Sequence, residues 1–176
     1  TDGTAAGREE CSADEYSDSV ASPICFPVVA GYYRKSSDTV MKCPAGSKCG
    51  GGTALPEPCP AGRYSENEGA NDCIGCAAQM YSNSNARVCK PCGANGMDCS
   101  RGVLKVLPGW WYDVSALVVN ASTGAKAVLE GSTTMYACVN SGACRVYNNS
   151  VVGCAEHASG PLCAVCEDGY VPDASA

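Results

Sequence analysis

The spacing of the cysteines constrains this chain more than any other feature. Fifteen of its 176 residues are Cys, the density of small disulfide scaffolds. A reducing cytosol would keep so many thiols free and of little structural use, so the sequence predicts an oxidising setting, extracellular or at the cell surface. The loops between the cysteines are self-similar. Cys11 to Cys25 and Cys59 to Cys73 each enclose 13 residues, with Tyr16-Ser17-Asp18 and Tyr64-Ser65-Glu66 at the same offset. Cys76 to Cys89 encloses 12 and keeps Tyr81-Ser82 there. Short loops rich in small residues follow, Cys43 to Cys49 and Cys92 to Cys99, each trailed by glycine (Gly50 to Gly52; Gly102). Residues 11–52 and 59–102 thus read as two copies of one unit, the first lacking the two cysteines of the middle loop. That coincidence supports the pairs Cys11–Cys25, Cys43–Cys49, Cys59–Cys73, Cys76–Cys89 and Cys92–Cys99. A crossed pairing of Cys73 or Cys76 with Cys92 or Cys99 stays open, because six cysteines allow 15 arrangements.

Covalent staples suit a chain that is short of large apolar side chains. Phe26 is the only Phe, while 20 Gly and 10 Pro interrupt regular elements. Closing a loop of this length removes about 3 kcal/mol of unfolded-state entropy per bridge in the chain-entropy account. The expected fold class is therefore small and disulfide-rich, mostly β and irregular, built as elongated tandem cysteine-rich modules. Four segments are expected: a first repeat over 1–52, a second over 53–102, a cysteine-free β segment over 103–137, and a partial, truncated module over 138–176. Within 103–137, Val103 to Leu107, Trp111 to Val119, Lys126 to Leu129 and Thr134 to Ala137 have β character, separated by Pro108-Gly109, Asn120 to Gly124 and Gly131-Ser132. They predict a short twisted sheet or hairpin centred on Trp110 or Trp111, with the Trp pair as core rather than as an exposed patch. Tyr16, Tyr64 and Tyr81 are likewise expected to pack inside their modules.

The last segment holds Cys138, Cys144, Cys154, Cys163 and Cys166, an odd number. Cys138 to Cys144 repeats the five-residue loop of Cys43 to Cys49. Two stretches carry a family likeness. Cys59-Pro-Ala-Gly-Arg-Tyr-Ser with Cys73-Ile-Gly-Cys76 resembles the ephrin-receptor-like cysteine-rich repeat, a relative of TNF-receptor repeats. Gly160-Pro-Leu-Cys-Ala-Val-Cys-Glu-Asp-Gly-Tyr170 resembles the laminin-EGF-like ending of large cell-surface proteins of algae and other protists, in which a motif like Pro108-Gly109-Trp110-Trp111 commonly sits between the two. The resemblance implies an ectodomain or extracellular filament component, often followed by transmembrane helices, and names no ligand. It implies a bridge Cys154–Cys163 and leaves Cys166 unpaired, its partner lost to truncation. Two departures are visible. The first repeat lacks the CxxC link, and its Gly31-Tyr32-Tyr33 is displaced from the usual position.

Sharper chemistry finds less support in the residues. Cys73-x2-Cys76-x12-Cys89-x2-Cys92 comes near a four-cysteine zinc ribbon, a remote alternative, since the repeat accounts for the same cysteines without metal. No βαβ context supports a redox CxxC. His157, the one histidine, sits between small residues and reads as a plain loop residue. Glu9-Glu10 and Asp14-Glu15 read as a solvated face, and no acidic cluster of the calcium-binding EGF kind precedes the last module. Neither a cofactor nor a metal site is expected, and no enzyme. Sequons stand at Asn120-Ala-Ser122 and Asn148-Asn-Ser150, both in turn-like stretches. Net charge is −6 without a Lys/Arg stripe, which argues against nucleic acid and anionic membrane surfaces. The longest mostly apolar run, Val114 to Val119, falls far short of the ~20 residues that span a bilayer, so any membrane link runs through segments outside this chain. Beginning at Thr1 with neither Met nor a signal core, the numbering suggests a mature chain or a fragment. The function expected is a non-catalytic structural, adhesion or assembly module of a cell-surface or filament glycoprotein. Its partners would be other extracellular proteins, copies of itself, or glycans. A ligand-binding ectodomain of a receptor or channel is the alternative.

Overall fold

In a computed structural model of the chain, residues 11–17, 24–93, 95–113, 129–148 and 150–170 are described here. Among them the only helical pieces are short 3-10 turns at Ser141–Ala143 and Pro161–Cys163, and no helix is long and apolar enough to cross a membrane. The rest is mostly β and irregular, organised as nine two-stranded antiparallel sheets. The pairs are β1 (Glu15–Tyr16) with β2 (Phe26–Pro27), β3 (Tyr32–Ser36) with β4 (Thr39–Lys42), and β5 (Ser47–Lys48) with β6 (Glu57–Pro58). Next come β7 (Arg63–Tyr64) with β8 (Ile74–Gly75), β9 (Met80–Tyr81) with β10 (Lys90–Pro91), and β11 (Met97–Asp98) with β12 (Lys105–Val106). The last three are β13 (Trp110–Trp111) with β14 (Tyr136–Ala137), β15 (Cys144–Tyr147) with β16 (Val151–Cys154), and β17 (Ala158–Ser159) with β18 (Val165–Cys166).

Seven bridges staple these hairpins: Cys11–Cys25, Cys43–Cys49, Cys59–Cys73, Cys76–Cys89, Cys92–Cys99, Cys138–Cys144 and Cys154–Cys163. Each joins cysteines near in sequence, and Cys166 is left free. The crossed pairing of Cys73 or Cys76 with Cys92 or Cys99 is not formed.

One backbone rule generates most of these pairs. A tight turn precedes the first strand, and its third residue has positive φ, as type II turns require. The carbonyl of that residue then accepts the N–H of the residue just after the second strand. The chain divides into two compact units, residues 1–76 with 82–89 and residues 77–81 with 90–176. In the first, the turn residues are Gly31, Gly46 and Gly62 (φ +89°, +85° and +86°), closed by Cys43, Cys59 and Cys76 at 2.8, 2.8 and 2.9 Å. In the second they are Gln79, Gly96, Gly109 and His157 (φ +62°, +75°, +78° and +62°), closed by Cys92, Leu107, Cys138 and Glu167 at 2.8, 2.8, 2.9 and 3.0 Å. The recurring hairpin is thus shorter than the unit of residues 11–52 or 59–102. Within Gly31-Tyr32-Tyr33, Gly31 heads a hairpin as Gly46 and Gly62 do.

The first unit adds a second register that ties successive hairpins together. Gly31 N–H donates to Cys49 O, Gly46 to Ser65 O and Gly62 to Ser82 O, at 2.9, 2.8 and 3.0 Å. In each case the acceptor lies three residues past the next turn residue. Gly52, Gly69 and Asn85 in turn donate to Val28, Cys43 and Cys59, each three residues before a turn residue, at 2.7, 2.8 and 2.8 Å. Space at these contacts is tight. A Cβ on Gly46 would stand 2.6 Å from the Asn85 carbonyl oxygen.

The second unit has an apolar core. Tyr81, Met97, Cys99, Leu104, Val106, Tyr112, Leu129 and Val152 are buried together. The stretch 103–137 does not make a sheet of its own among the described residues: β12 pairs back to β11, and only β13 and β14 pair within it. Trp110 and Trp111 are half-buried and flank the core rather than centring it. The expected strands reaching Val119 and beginning at Lys126 fall on 114–128, outside the described residues.

Candidate functional site

The first unit carries an open cleft beside its first two hairpins. Cys11–Cys25 ties the ends of β1 and β2, and Val28 N–H closes that hairpin onto Asp14 O at 2.9 Å. The Arg34 guanidinium Nη1 donates to Ser12 O and Ala13 O, both at 3.0 Å, so the turn that carries Tyr16 is clamped to β3. The Tyr16 ring rests against Phe26, centroids 5.8 Å apart. Tyr32 enters from the next turn, where its N–H bonds Val29 O. The result is a cleft of about 560 Å³ lined by Tyr16, Pro27, Val28, Val29, Tyr32, Asp38, Thr39 and Val40, within the size range of ligand pockets.

Among the described residues of that lining, Asp38 carries the one formal charge. The hydroxyls of Ser36 and Thr39 donate to Asp38 Oδ1 at 2.8 and 3.1 Å. Those two bonds, Ser36 first, hold the Asp38 carboxyl below its ordinary pKa. Among the described residues Asp38 has no ion-pair partner. Sequence reasoning did not single out Val29, Asp38 or Val40, and noted Tyr32 only within Gly31-Tyr32-Tyr33. The signal present was Ser36-Ser37-Asp38-Thr39, a run whose short side chains cap their own turn.

Of the residues singled out by sequence, Tyr16 lines this cleft and the others fall elsewhere. Cys73, Cys76, Cys89 and Cys92, the near-zinc-ribbon set, are spread over three different bridges. Among the described residues no group of three His, Cys, Asp or Glu side chains converges to hold a metal ion. Ser65 and Ser82 of the Tyr-Ser repeat are buried, their hydroxyls donating to Asn67 O and Arg63 O at 3.0 and 2.9 Å. Tyr81 is buried and its hydroxyl accepts the Gly131 N–H at 2.8 Å, whereas Tyr16 and Tyr64 are half-exposed. Asn148 is exposed, with φ +50°, in the tight loop joining β15 to β16. Asn120 lies outside the described residues.

Two further sites are structural rather than open. Tyr112 is buried, with its hydroxyl donating to Ser150 O at 2.6 Å, and burial raises its pKa. His157 has more partners than a plain loop residue would. Its Nδ1 lies 2.9 Å from Glu167 Oε2, its ring stacks on Tyr170 at 3.7 Å, and its backbone carbonyl takes the Glu167 N–H. These contacts close the hairpin of β17 and β18.

No protein-family profile matches the chain, and no curated protein matches it either.

Proposed function

We propose that this chain is a non-catalytic extracellular module, a structural, adhesion or assembly piece of a cell-surface or filament glycoprotein. Its partners are then other extracellular proteins, copies of itself, or glycans. The observation that carries the reading is the way the first unit is held. Among its described residues the buried side chains are Val28, four bridged cysteines and three serines, so covalent pairs and a repeated backbone register stand where a core would be. Seven local bridges fit an extracellular or secreted protein. The likeness of Cys59-Pro-Ala-Gly-Arg-Tyr-Ser to ephrin-receptor-like repeats, and of Gly160 to Tyr170 to laminin-EGF-like endings, supports the same assignment. Exposed Asn148 in its sequon suits a glycoprotein.

Thiol titration of the native chain tests it. One reactive thiol, with the rest appearing only after reduction, is the expected count. A majority of free or metal-bound sulfurs overturns the module and its compartment together. The cleft beside Asp38 favours a second reading, a ligand-binding ectodomain of a receptor or channel.

A further inference from the structure

The cleft of the first unit has a chemistry that narrows what can occupy it. Its walls are aliphatic and aromatic: Pro27, Val29 and Val40, with Tyr16 and Tyr32. Val29 is 56% exposed although it is a large apolar residue, so this wall is still wet. Among the described residues the lining contains no Lys, Arg, Asn or Gln, and so no cationic or amide side chain for a carboxylate, a phosphate or the acceptor oxygens of a sugar. The one formal charge among its described lining residues is the Asp38 carboxylate. Ser36 and Thr39 occupy Oδ1, and no cation of the described chain neutralises it.

We propose that this cleft receives a lysine or arginine side chain of a protein partner. The alkyl stem lies along Val29, Val40 and Pro27, which snorkelling cationic side chains favour. The head group meets the Asp38 carboxylate and the electron-rich faces of Tyr16 and Tyr32. The inference deepens the reading of the chain as a partner-binding module and rests on it. It names the class of partner as a protein with a basic residue exposed on its surface, which matches the chain's net charge of −6.

The test is a nuclear magnetic resonance titration of the oxidised chain with Nα-acetyl-lysine methylamide, the uncharged norleucine analogue and a neutral methyl glycoside. The lysine probe should shift the amides of Val29, Thr39 and Val40 and bind about ten-fold more tightly than the norleucine analogue, the gain of a carboxylate contact and a cation–π contact at a wet site. Asp38→Asn, on an exposed turn, should remove that difference while leaving the remaining spectrum in place. A second variant, Val29→Ser, should weaken both amino-acid probes alike. Equal binding of lysine and norleucine, no shift at these amides, or a glycoside response there that survives Asp38→Asn overturns the proposal. Such a failure with the bridges intact leaves the module reading standing, whereas free thiols in the same sample sink the module reading itself.

Discussion

The two compact units of this chain solve the same problem by different means. The first, residues 1–76 with 82–89, buries, among its described residues, cysteines and serines and little else beyond Val28. Its order comes from bridges that restrict the unfolded chain and from N–H groups that find carbonyls in the neighbouring hairpin. The second, residues 77–81 with 90–176, gathers eight buried side chains into one cluster, with Trp110, Trp111, Met135 and Val146 packed at its margin. A smaller cluster of Cys138, Cys144 and Cys163 adds to it. The contrast shows that one hairpin rule is compatible with two sources of stability. The rule fixes backbone geometry, and the side chains are then free to be small and stapled or large and packed.

Full reduction should separate the units most sharply. Hydrogen exchange after reduction is expected to abolish protection at Gly46, Gly62 and Asn85, while the amide of Leu107, which donates to Gly96 O, keeps measurable protection. Equal collapse of both would show that the second core is not self-sufficient. Truncating that core is the next largest effect. Leu129→Ala should cost about 2–5 kcal/mol in chemical denaturation, with the loss of protection confined to the second unit. A cost below 1 kcal/mol would move the second unit into the stapled class. The smallest effect tests the backbone register. Gly46→Ala places a side chain at positive φ, costing about 1–2 kcal/mol, and brings a Cβ against the Asn85 carbonyl. Exchange should quicken at Ser65 and Asn85 before it does at the more distant hairpins. Uniform acceleration would mean that the inter-hairpin bonds do not act locally.

Much of this was legible in the cysteines, because the bridges are local and loop length alone suggests them. The spacing of Cys11 and Cys25 or Cys59 and Cys73 indicates closure without any knowledge of the fold. The shorter hairpin repeat was not legible. The rule behind it asks only for a residue that tolerates positive φ and for an N–H at the closing position. Gly31, Gln79, Gly109 and His157 meet that demand without the Cys-Pro-Ala-Gly that marks Gly46 and Gly62. The second core was hidden for another reason. Its members run from Tyr81 to Val152, and long-range packing of that kind leaves no periodic trace. Trp110 and Trp111 drew attention by size, yet Tyr112 beside them is the residue the core encloses. The cleft depended on Asp38 meeting Tyr16 and Val29, a juxtaposition created by the clamp of Arg34 on Ser12 and Ala13.

The register of the first unit has an evolutionary corollary. Its turn residues stand at 31, 46 and 62, intervals of 15 and 16 residues (46 − 31; 62 − 46), and each uses the same donor and acceptor toward its neighbour. A tandem duplication of one such interval would insert a cassette whose polar groups are met at both joints by copies of partners already in place. Because no shared interior has to be redesigned, length in this architecture is a quantity that unequal crossing-over can adjust one cassette at a time.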